Sequence, residues 1–148
     1  MSAESNQARP NRLLVADGHP LSARQLATLL RELGHDVNTA PDAASTLKAV
    51  LAANDEERPF DVALVDLSLP GDGFGLLREL GKGEHATATI AIADQPHVGG
   101  AIEALRLGVS DYLVRPLVEE EVRQALARAL RQAALLGENL ALRRRLHA

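Results

Sequence analysis

The sequence predicts a doubly wound α/β fold, a parallel sheet with helices on both faces. Three observations point there. Short apolar runs alternate with helix-spaced segments five times along the 148 residues, the pattern of a parallel sheet built from successive crossovers. The run Val62 to Val65 is apolar without interruption, as a strand covered on both faces requires. Acids close the first and third runs, at Asp17 and Asp66, and carboxyl ends of strands are where open α/β sheets gather their ligand chemistry.

Each element has its own signal. Arg12 to Ala16 is a first strand, followed by Asp17-Gly18-His19-Pro20. Pro20 and Ser22 suit a helix start, and Leu26, Leu29, Leu30 and Leu33 then recur at helical spacing until Gly34. Asp36 to Ala40 is a weak second strand. Pro41-Asp42 opens a second helix with Leu47, Val50 and Leu51 on one face, and Ala53 to Pro59 reads as a charged loop. The third strand ends at Asp66. A Pro70-Gly71-Asp72-Gly73 turn leads to a helix from Phe74 to Leu80, then a loop at Gly81-Lys82-Gly83. Thr89 to Ala93 is a fourth strand. Gly99-Gly100 precedes a fourth helix holding Ile102, Leu105 and Leu107, which Gly108 stops. Asp111 to Val114 is the fifth strand, closed by Arg115-Pro116. A long last helix starts near Leu117, with Val118, Val122, Leu126 and Ala129 towards the sheet.

Composition narrows the function classes. Phe60, Phe74 and Tyr112 are the only aromatics, so Leu, Val, Ile and Ala must fill the core. There is no cysteine, which excludes disulfides and thiolate metal sites. A net charge of −4 gives no general attraction to nucleic acid. No apolar run approaches the roughly 20 residues of a membrane span, so no membrane partner and a cytoplasmic location are expected. The expected organisation is a flexible N-terminus over 1–11, one domain over 12–130, and a helical extension over 131–148.

Asp17, Asp66 and Arg115 close strands one, three and five, so the topology brings them to one edge. Two carboxylates held close need a cation between them, and either a hard divalent metal or Arg115 could serve. Three stretches carry a family resemblance: Val15-Ala-Asp17-Gly-His-Pro20, Leu64-Val-Asp66-Leu-Ser-Leu-Pro70-Gly-Asp-Gly73, and Leu107-Gly-Val-Ser-Asp-Tyr112-Leu-Val-Arg115-Pro116. Over residues 12 to 130 the chain resembles the receiver domain of bacterial two-component response regulators. The resemblance implies a flavodoxin-like five-stranded sheet of order 2-1-3-4-5. It also implies a phosphoryl group passed from a histidine kinase to an aspartate, with Mg²⁺ held by neighbouring acids. It makes Asp66 the phosphoacceptor, Asp17 the first of the paired acids, the backbone carbonyl of Ser68 the third metal ligand and Tyr112 the switching aromatic. A receiver of this kind is a signalling domain and not a conventional enzyme.

Three positions depart from the pattern. Gly18 stands where the family has a second acid, so a direct metal ligand is lost there. Ala93, followed by Asp94, replaces the Thr or Ser that bonds a phosphoryl oxygen. Arg115 replaces the lysine before proline. Phosphoryl transfer rests on positioning and charge neutralisation, so each change weakens it, and weak or absent Mg²⁺ binding is expected. Arg115, always ionised and able to clamp carboxylates, is expected to pair with Asp66 or Asp17. His19 reads as a surface side chain, Asp72 and Gly73 as turn residues, and Tyr112 as a half-buried aromatic. Asp94 could turn into the site in place of a lost acid, but solvating its loop is the preferred reading.

Beyond the domain, Leu135, Asn139, Leu142 and Leu146 keep a four-three spacing with one polar member, flanked by Leu136 and Leu140 and weakened by Gly137. The run from Glu138 to Leu146 resembles the linker of nitrogen-regulator-type enhancer-binding activators, which implies pairing of two receivers. The reading is an atypical receiver of a transcriptional regulator that dimerises through its last helix. Its ATPase or DNA-binding output domain is expected outside this chain, and no direct nucleic-acid contact is expected within it. The competing readings are a receiver still phosphorylated on Asp66 and a small α/β ligand-binding module.

Overall fold

In the computed structural model, which describes residues 10–82 and 86–146, the third strand forms the spine of the molecule. This strand, β3 (Val62–Asp66), is buried at every position. Successive side chains of a strand point to opposite faces. Val62 and Leu64 therefore enter one apolar cluster, and Ala63 and Val65 enter the other. The remaining strands are β1 (Arg12–Ala16), β2 (Asp36–Ala40), β4 (Ala88–Ala93) and β5 (Asp111–Val114). All pair in parallel, in the order β2-β1-β3-β4-β5.

Five helices cross between or follow the strands among the described residues: α1 (Pro20–Glu32), α2 (Ala43–Asp55), α3 (Gly73–Leu80), α4 (Val98–Arg106) and α5 (Glu119–Leu146). Leu26 and Leu30 of α1 join Val122, Leu126 and Ala129 of α5 on one face of the sheet. Val50 of α2, Leu76, Leu77 and Leu80 of α3 and Ala104 of α4 cover the other. Chain reversal at Gly34, Gly71 and Gly108 uses positive φ, near 98°, 97° and 93°, a region side chains rarely enter. No helix among the described residues is long and apolar enough to cross a membrane.

Several local expectations are corrected. The fourth helix begins at Val98, so Gly99 and Gly100 lie inside it. His97 caps it, its Nδ1 accepting from the Gly100 N–H at 2.8 Å. Ile102 and Leu105 face solvent and Ala104 is the buried residue of that helix, with Leu107 packed at its end. Leu51 and Val118 are likewise exposed: Thr46, Val50 and Ala53 form the inward face of α2, and Val118 precedes α5. The second helix extends to Asp55 into the expected loop, β4 gains Ala88, and α5 starts at Glu119. Asp72 does more than turn the chain. It accepts from the Gly75 N–H at 2.9 Å and so caps α3, which starts at Gly73. Most of the expected flexible N-terminus, and Gly83 of the expected loop, lie outside the described residues.

The last helix runs unbroken through Gly137. The boundary expected between 130 and 131 therefore falls inside a continuous helix. Arg128 Nε donates to Asp111 Oδ2 at 2.9 Å, and the Ser110 hydroxyl donates to Gln132 Oε1. Both contacts hold α5 to the start of β5. Among the described residues Ala133 is the last buried one, and the helix then projects past the edge of the sheet opposite the strand ends.

Candidate functional site

The parallel register brings the carboxyl ends of the central strands together, with Asp66 beside Ile92 and Ala93 beside Val114. Asp17 follows β1 directly, and its N–H donates to the Ala40 carbonyl at 3.0 Å. Asp17 and Asp66 are both buried, at 4% and 1% exposure. Arg115, carried in just after β5 on a cis peptide to Pro116, reaches over the strand ends between them.

Its guanidinium spreads across four acceptors. One terminal nitrogen, Nη1, donates to Asp66 Oδ2 at 3.0 Å and to Asp94 Oδ1 at 3.1 Å. The other, Nη2, donates to Asp17 Oδ2 at 3.2 Å and to the Ser22 hydroxyl at 2.9 Å. The expected pairing with Asp66 or Asp17 is thus made to both at once. A fixed fork of donors can do this, whereas an ammonium is a single point charge. The remaining oxygens are met from the loops. Asp66 Oδ1 accepts from the Ser68 N–H at 2.8 Å and the Ser68 hydroxyl at 2.7 Å. Asp17 Oδ1 accepts from the His19 N–H at 2.8 Å and lies 3.3 Å from His19 Nδ1.

The fate of the other candidates is mixed. Asp94, for which solvating its loop was the preferred expectation and turning into the site the alternative, turns towards Arg115, although its side chain is 58% exposed. The exposed ring of His19 sits at the rim of the pair, and Asp17, His19 and Asp66 bring one ligand atom each to within 4.8 Å of one another. Gly18 is closed off from above: a Cβ there would lie 2.5 Å from Pro70 Cδ. Ala93 ends β4 and supplies only its carbonyl, which accepts the Arg115 N–H at 2.9 Å. Tyr112 is half-buried against the α2–α4 side of the core. Ser22 and the Ser68 hydroxyl were not foreseen as site groups. The one available signal for Ser22 was its place in the first turn of the helix that follows Asp17. Ser22, Asp94 and Arg115 also border a groove of about 640 Å³ walled by Leu26, Leu29 and Leu117.

Comparison with known proteins gives the family of the domain. Residues 13–127 match the family described as the response regulator receiver domain. The two-component response regulator PhoP of Pseudomonas aeruginosa is 33% identical over 83% of this chain and 53% of its own length. The regulatory protein AtoC of Escherichia coli is 29% identical over 86% of this chain but only 27% of its own. The chain therefore spans about half the length, or less, of these curated relatives. Among solved structures, NtrX of Brucella abortus superposes with a TM-score of 0.74 at 28% identity, over 95% of this chain and 30% of that one. The sheet order, the two acids at its edge and these matches together place the chain in the response regulator receiver family.

Proposed function

We propose that this chain is the signal-input domain of a transcriptional response regulator in which the acid pocket is degenerate and pairing of two copies along α5 carries the output. The observation that carries this reading is the projecting end of α5. Past Ala133 the helix leaves the domain, and Leu135, Leu142 and Leu146 are 60%, 52% and 81% exposed along one stripe. With Asn139 between them these residues follow coiled-coil spacing, and a polar residue in such a seam sets register. Glu138 and Arg143 flank the seam at the spacing that joins opposite charges across a parallel pair. Exposed leucines in a regular stripe on a soluble domain are a typical mark of an interaction surface.

The pocket supports the degenerate part of the reading. Gly18 offers no carboxylate, Ala93 no hydroxyl, and Arg115 is committed to both acids. The proposed partners are a second copy of this chain, an output domain, and a histidine kinase upstream. A second reading, phosphorylation on Asp66, is favoured by that residue's place at the end of the central strand, where a phosphoacceptor belongs.

Light scattering after size exclusion, with and without acetyl phosphate and Mg²⁺, tests both. The expected result is a dimer in either condition, a folded monomer for Leu142→Asp, and no phosphate-sized gain in intact mass. A monomeric native chain removes the pairing. A mass gain lost in Asp66→Asn establishes the second reading instead.

A further inference from the structure

We propose that Arg115 is the resident cation of the acid pair and that it closes the pocket to divalent ions. This deepens the degenerate-pocket reading and rests on it. The family implies Mg²⁺ between such acids, and the residues present do not fit that ion. Mg²⁺ requires near-octahedral oxygen ligands at about 2.0–2.1 Å and gives up its water reluctantly. Here the space between the acids is spanned by the guanidinium, 3.0 Å from Asp66 and 3.2 Å from Asp17. The two oxygens facing away from Arg115 already accept from Ser68 and His19. No carboxylate stands at position 18, and a side chain there would meet the Pro70 ring. An entering ion would have to displace a fork held by four acceptors, Asp17, Ser22, Asp66 and Asp94, drawn from the turn after β1, α1, β3 and the loop after β4.

Beneath Arg115 a set of possible donors remains. Asp17, His19 and Asp66 remain within reach of one centre, and Mn²⁺ accepts carboxylate oxygen readily. Replacing the fork with a single ammonium, as in Arg115→Lys, frees oxygens that a point charge cannot cover at once. The predicted gain of an ion site on losing the guanidinium fork is specific to this inference, because a pocket disabled only by Gly18 would stay closed.

The test is Mn²⁺ titration of the intact chain, read by paramagnetic broadening of backbone amides and by the thermal midpoint against NaCl of equal ionic strength. In the native chain the amides around Asp17 and Asp66 are expected to keep their intensity and the midpoint to stay fixed. In Arg115→Lys those amides are expected to broaden first, and the midpoint to rise with ion concentration as ligand linkage requires. Arg115→Gln, which keeps donors without the charge, takes its place should the lysine variant not fold. Localised broadening in the native chain would overturn the proposal. So would continued exclusion of Mn²⁺ from the folded variant, which would assign the closure to Gly18. Neither result bears on the pairing of α5, whose readout is oligomeric state.

Discussion

Arg115 stabilises the strand-end edge because two buried carboxylates face each other there. Removing one member of a buried charge cluster leaves the others desolvated and unpaired, at a cost of about 3–5 kcal/mol. Arg115→Met is therefore expected to lower unfolding free energy by roughly that amount, measured in urea. Adding Asp17→Asn should recover part of the loss, a coupling that a double-mutant cycle reads directly. A second residue-scale effect lies at the opposite edge. His35 Nδ1 is buried without a hydrogen-bond partner. Burial pushes this imidazole below its ordinary value of 6.5, with Asp61 opposing in part. The folded state thus disfavours the proton that the unfolded chain binds. The contribution of His35 to stability is present above its unfolded value and is lost as pH falls through the folded one. Between about pH 7 and pH 5 the stability curve of the native chain should slope downward towards acid, and His35→Gln should flatten it.

At the scale of elements, α5 has two lives. Its first half is a core helix, with Val122, Ala125, Leu126 and Ala129 buried on the sheet. Its second half has no sheet beneath it, so helix propensity and the proposed pairing decide its order. Gly137 sits in that half in helical geometry, and a methyl added there meets nothing within 4 Å. Gly137→Ala should stabilise the helix by about 0.5–1 kcal/mol and strengthen self-association, read by helical circular dichroism and sedimentation. The charges at the ends already favour the helix, with Glu119, Glu120 and Glu121 in the first turn and Arg143, Arg144 and Arg145 in the last. For α3 the cap matters more than the interior, since the helix has only eight residues. Asp72→Ala should cost about 1 kcal/mol in chemical unfolding.

At the scale of the whole molecule, the sheet sets the acid pocket and the projecting helix at opposite ends. The helix α5 starts soon after Arg115-Pro116 and leaves the domain at the far edge. The apolar clusters on the two faces of the sheet lie between them, and Leu64 is fully buried in one of these. Leu64→Ala should cost about 2–5 kcal/mol, with loss of the pocket and of cooperative unfolding together. What the sequence determined by itself was the fold class, the sheet edge and the three charged strand ends, because hydrophobic period and the position of an acid after an apolar run are local properties. It also marked Gly18, Ala93 and Arg115 as departures. Other features depended on packing between distant segments, and only the tertiary structure decided them. Asp94 meets Arg115 at the rim of the site because the guanidinium reaches it there. Ser22 joins the site because α1 folds back over β1, and Ile102 and Leu105 are exposed because Ala104 suffices against the sheet. The fork of Arg115 across four acceptors is likewise a matter of geometry, since its reach to Asp17 and Asp66 spans 98 and 49 residues of chain.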